Sequence, residues 1–124
     1  MSDETPIFVF GSNLAGRHGK GAAAFALRER GAIYGKGVGL QGDSWAIPTK
    51  GYHLEVLPLS EIGLYVAAFL AQAEVIYSRR RFEVTPIGCG LAGYSPEEIA
   101  PLFRNAPPNC ELPPAFLAVL GRPE

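Results

Sequence analysis

Apolar positions along the chain fall into short unbroken runs that alternate with stretches of helical spacing. Ile7-Phe8-Val9-Phe10 is wholly apolar and stops at Gly11, the pattern of a strand covered on both faces. Ala22 to Arg30 reads as a helix, with basic residues in its last turn and Gly31 placed as its C-terminal cap. Its alanines would let that helix pack close to a sheet. Ser44-Trp45-Ala46-Ile47 is expected to be a strand stopped by Pro48, with Trp45 in the core. A longer helix should start near Ser60, its candidate N-cap, because Ile62, Val66, Phe69, Leu70 and Ala73 recur on one face. Arg79-Arg80-Arg81 closes it as a solvated charged end, and Phe82 to Ile87 supplies the next strand. Ser95-Pro96-Glu97-Glu98 is a capping box with proline at the first helical position, opening a short helix to about Phe103. Asn105 to Pro114 reads as proline-rich loop and Phe116 to Leu120 as a last strand. Strands alternating with helices predict an α/β domain with a largely parallel sheet. No linker interrupts the pattern, so residues 1–124 are expected to form one domain.

Composition narrows the partners. At 124 residues and 48% apolar, the chain is long enough to bury a core. Its 11 basic and 12 acidic side chains leave a net charge of −1, so no global field recruits nucleic acid, although a local basic patch stays open. Cys89 and Cys110 make no metal-ligand spacing, and a single bridge is a poor framework for a domain of this size. Reduced thiols, no metal, no cofactor and a cytoplasmic location are the expectations. The leading MSDETP is polar and acidic, unlike a signal peptide, and no apolar run approaches the ~20 residues of a membrane span, so no membrane partner is expected.

The chemistry concentrates in two glycine-marked turns, "FGSNLAGRHGKGAAA" and "IGCGLAGYSPEEI", each joining a strand to a helix. In open α/β sheets ligands sit beyond the carboxyl ends of the strands. Small residues there let main-chain N–H groups point outward, and the following helix adds its positive end. Two such turns facing one another would suit a diphosphate, with Tyr94 covering an attached ribose or base and Asn13 bonding a sugar hydroxyl. The plainer alternative is glycine serving the turn alone. Neither segment fits the dinucleotide fingerprint or a Walker loop, since Lys20 is followed by glycine.

"TPIGCGLAGYSPEEIAPLF" resembles the diphosphate loop of macrodomains, the ADP-ribose-binding fold, and is most similar to the branch of terminal ADP-ribose glycohydrolases and DNA-directed antitoxins. "GSNLAGRHGKGAAAFALRERGA" resembles that branch's Asn-containing loop, glycine pair and small-residue helix. "SWAIPTKGYH" resembles its strand ending in Thr-Lys. The three stretches stand in the same order and cover roughly Ile7 to Phe103. The resemblance implies a three-layer α/β/α fold that binds ADP-ribose or a related nucleotide, free or carried on DNA or protein. It places Asn13 at the distal ribose and Gly19 and Gly21 beside it, within a loop begun by Gly11 and Ser12. Gly88, Cys89, Gly90, Leu91, Ala92 and Gly93 form the diphosphate loop, and Tyr94 its end. Lys50 matches the lysine that attacks the anomeric carbon. The chain departs from one subgroup at Ala92, where that subgroup carries a catalytic aspartate; the DNA-directed subgroup also lacks an acid there. The adenine-reading acid has no clear counterpart, Asp3 being the nearest candidate.

Lys50 has three readings: a neutral amine that attacks C1″, a cation that pairs with phosphate, or a solvated turn residue. His18, beside Arg17, could contact phosphate or act as a base, but an exposed loop histidine is the commoner case. His53 could share the rim. Asp43 could orient Lys50, although a turn role with Gly42 fits better. Cys89 reads as a loop filler without a paired base. Arg79, Arg80 and Arg81 could touch nucleic acid but suit a solvated helix end. Three functions follow: a hydrolase removing ADP-ribose from DNA or protein through Lys50, a non-catalytic binder of ADP-ribose-like or NAD-derived nucleotides, and a generic nucleotide-binding α/β protein.

Overall fold

The computed structural model describes residues 5–123. Strand β1 (Ile7–Asn13) starts with the apolar run and continues through Gly11 to Asn13. Helix α1 (Gly21–Glu29) ends as expected: Gly31 takes a φ of 76°, and the amides of Arg30 and Ala32 both donate to the Ala26 carbonyl. A three-residue strand, β2 (Gly39–Gln41), lies within the glycine-rich stretch from Gly31 to Gly42, where no strand was expected.

Strand β3 (Ser44–Lys50) does not stop at Pro48. Its partner β2 pairs only as far as Ala46, so at Pro48 the flank away from β1 carries no β2 partner, and a missing N–H costs little. Helix α2 (Leu59–Val75) buries the five predicted core residues. Its N-cap is Pro58 rather than Ser60, and it ends well before the arginines. Arg79 and Arg81 are exposed, whereas Arg80 is partly buried, donating to the Thr5 carbonyl and pairing with Asp43 at 3.5 Å. Strand β4 (Phe82–Val84) is shorter than predicted. Helix α3 (Pro96–Ile99) opens with the full Ser95–Glu98 capping box and runs into a 3₁₀ turn over Ala100–Phe103.

The C-terminal segment corrects the sequence reading twice. Cys110–Glu111 forms a strand, β5, inside the expected loop, and Pro114–Leu120 is a helix, α4, rather than a strand. Pro114 at its start and left-handed Gly121 at its end are ordinary helix boundaries. Phe116 buries completely against Phe103, with ring centroids 5.4 Å apart.

The five strands form one sheet in the order β2-β3-β1-β4-β5, parallel throughout except for the β2–β3 pair. Alternate β1 residues enter different apolar clusters. Ile7 and Val9 join Trp45, Phe69, Phe82 and the α2 face, while Phe8 and Phe10 join Ala23 and Ala26 of α1. Both cysteines are free. No helix of the described residues is long and apolar enough to cross a membrane.

Candidate functional site

Strand β1 lies between β3 and β4, and all three run parallel, so the loops leaving their C-terminal ends emerge side by side. Strand order changes direction here, the place where open α/β sheets take ligands. A cavity of about 700 Å³ opens between these loops, within the range of small-molecule sites. The two glycine turns meet in it: a Cβ on Gly11 would stand 3.5 Å from the Gly88 nitrogen.

The cavity wall brings together Gly11, Ser12, Asn13, Gly19 and Gly21 from the first turn, Lys50 from β3, and Gly88, Cys89, Gly90, Leu91 and Ala92 from the second. Gly93 and Tyr94 are not part of it. Tyr94 packs against the main core and donates its hydroxyl to the Leu57 carbonyl. It ties the second turn to the segment before α2, with its hydroxyl turned to that segment. Asp3 lies outside the described residues.

A register shift shapes the floor. Ser12 pairs with Pro48, but Asn13 pairs with Lys50, so Thr49 is the extra residue of a bulge. Asn13 and Lys50 therefore become direct partners at the strand ends. Asn13 is 8% exposed and spends its amide internally: Nδ2 donates to the Arg17 carbonyl at 3.0 Å, and Oδ1 accepts from the Arg17 N–H at 2.9 Å. It clamps the first loop, a role that residue type alone does not reveal. The Ser12 hydroxyl is likewise used, donating to the Gly37 carbonyl.

The wall's charge is one-sided. Arg17, Lys20 and Lys50 contribute three cations, and among the described residues no Asp or Glu lines the cavity. Lys50 is half-buried, and its ammonium has no hydrogen-bond or ion-pair partner among the described residues. The amides of Gly88, Gly90, Leu91 and Ala92 likewise donate no hydrogen bond among the described residues. Across from them, Lys20 to Ala23 present the uncapped first turn of α1. Unpaired N–H groups and a helix N-terminus both favour an anion. A second cavity of about 630 Å³ adjoins the first at Thr85 and Pro86, and it differs in being walled by Glu83 and Glu111.

The remaining candidates separate cleanly. His18 is buried at 1% exposure, not an exposed loop residue, and does not line the cavity. Its Nε2 faces the carbonyl oxygen of Lys36 at 3.0 Å and Oε1 of Gln41 at 3.3 Å, while its ring meets Phe10 edge-on. Both neighbouring atoms are acceptors, so Nε2 carries the proton and His18 pins the first loop to the glycine-rich stretch from Gly31 to Gly42. Asp43 immediately precedes β3 and pairs with Arg80, at the opposite end of the strand from Lys50. His53 is exposed and outside the wall; its N–H donates to the Glu55 carboxylate. Burial, then the charges of Glu97 and Glu98, raise the Cys89 thiol above its ordinary range, leaving it unactivated. Sequence reasoning missed Tyr34 and Leu54, both in the wall. An aromatic among glycines marks Tyr34, whereas nothing in the sequence marks Leu54.

Comparison with protein-family models, curated proteins and solved structures finds no match. The functional reading therefore stands on the geometry of the cavity and on the motifs that build it.

Proposed function

We propose that this chain binds ADP-ribose or a closely related nucleoside diphosphate across its two glycine turns, in a three-layer, macrodomain-like arrangement. One observation carries the reading: a cavity of nucleotide size is walled by three cations, by unpaired main-chain amides and, among the described residues, by no carboxylate. Paired phosphates complement such a wall, whereas a cationic or neutral ligand would leave its donors unmatched. Within this reading Lys50 is the reactive group. Once its ammonium has given a proton to water, the Lys50 amine would attack C1″ of the ribose, the bond from C1″ to the carrier would break, and water would release free ADP-ribose from the resulting adduct.

A second reading, capture without turnover, is favoured by the same acid-free wall. Ala92 stands where an aspartate would serve catalysis, and among the described residues no carboxylate lines the cavity to move protons. Calorimetry with ADP-ribose, AMP and NAD tests the binding step, and ADP-ribose should bind most tightly. Incubation of ADP-ribosylated DNA and glutamate-modified protein with wild type and Lys50→Ala then divides the readings. Release by wild type that falls at least 100-fold in the variant supports the lysine mechanism. Release at equal rates removes it, and binding without release leaves the capture role.

A further inference from the structure

Among the described residues Leu54 alone combines a side chain with a positive φ, 65°. It sits in the turn after β3, where its amide donates to the Gly51 carbonyl at 3.1 Å and the Gly51 amide to the Glu55 carbonyl at 2.8 Å. An isolated bridge between Lys50 and Val56 closes the base of this turn. The left-handed region crowds any L side chain, and glycine or asparagine is its usual occupant. Core packing does not compensate here, because Leu54 is 41% exposed and belongs to neither apolar cluster. It does line the cavity, with Lys50 at the foot of the same turn.

Two further exposed apolar side chains reach that cavity from the other loops: Tyr34 at 62% and Leu91 at 70%. The Tyr34 ring stands edge-on to buried His18, with centroids 6.5 Å apart, so it rests on a fixed partner. Three separate loops thus hold apolar groups in water around one anion-binding cavity.

We propose that Leu54, together with Tyr34 and Leu91, forms an apolar collar that grips the ring face of a phosphorylated ligand, and that Leu54 is held in a strained conformation because that conformation presents it. The proposal rests on the nucleotide reading of the cavity. Strain of this kind persists at ligand clamps when the surrounding turn over-determines it. The collar supplies contacts to the sugar or base, while the glycine turns supply contacts to the phosphates.

The test uses Leu54→Gly, which relieves the strain, and Leu54→Asn, which tolerates it but loses the apolar tip. Thermal unfolding is measured beside calorimetry with ADP-ribose and inorganic pyrophosphate. The expected result is a Tm held or raised in both variants, an ADP-ribose affinity lowered on the order of tenfold, and an unchanged pyrophosphate affinity. AMP and ribose 5-phosphate then identify the ring that is held, the larger loss marking base or sugar. Unchanged ADP-ribose affinity overturns the collar, as does an equal loss for pyrophosphate or a marked fall in Tm, each of which assigns Leu54 a shape-keeping role. Wild type binding neither ligand would instead sink the nucleotide reading, and the collar with it.

Discussion

Glycine does two different jobs around this cavity, and single substitutions separate them. At Gly37 a Cβ would overlap the Asn13 carbonyl, so glycine there lets two backbones meet and serves the fold. At Gly90 a Cβ would meet nothing within 4 Å, and the residue is exposed in the cavity wall. Gly90→Glu should therefore leave the fold within about 0.5 kcal/mol of wild type, while placing a carboxylate in a wall that has none among the described residues. ADP-ribose affinity should fall at least ~100-fold, since an unmatched like charge beside the phosphates opposes binding directly. Calorimetry and a melting curve on the same sample check both halves, and retained affinity would put the phosphates elsewhere. The sequence shows the glycines but not this division of labour, which depends on what lies across from each. Asn13 and Tyr94 were hidden for the same reason. Their polar atoms are taken by the Arg17 main chain and the Leu57 carbonyl, the latter 37 residues from Tyr94.

Elements with a clear period or a clear cap were legible from the chain: β1, α1, the buried face of α2 and the Ser95 capping box. Those decided by a neighbour were not. Pro48 reads as a stop until β2 is seen to end at Ala46, and the five apolar residues from Phe116 fit a buried strand as well as a helix turn. Strand β5 is two residues long and exists because β4 pairs with it. That pairing carries Cys110 into the main core, where burial pushes its thiol up from 9.0 to about 12. The folded chain therefore keeps a proton that the unfolded chain gives up above pH 9. Stability from this group is complete below 9 and declines as pH rises toward 12, by about 1.4 kcal/mol per unit at most. Urea unfolding at pH 8 and pH 10.5 should show a loss about 2 kcal/mol smaller in Cys110→Ala than in wild type. Equal losses would mean that β5 does not hold the thiol in its neutral form.

At the scale of the whole molecule, charge distribution separates binding a phosphorylated group from binding the polymer that carries it. Among the described residues the cavity gathers three cations and no carboxylate, while beyond it eight basic side chains are set against nine acidic ones, so the remaining surface carries no net positive field. Glu83 and Glu111 wall the adjoining cavity and set two negative charges beside the first. A nucleic-acid backbone laid across the molecule would find no net attraction outside the site, and at physiological salt charges beyond about 8 Å are screened in any case. Affinity should then reside almost wholly in the group that enters the cavity. An oligonucleotide bearing one ADP-ribose is expected to bind within about threefold of free ADP-ribose, while the same oligonucleotide unmodified shows no binding near 0.15 M salt. Fluorescence polarisation with the labelled pair measures both. Tight binding of the bare oligonucleotide would reveal a contact surface outside the cavity, and the modification would no longer be what the protein selects.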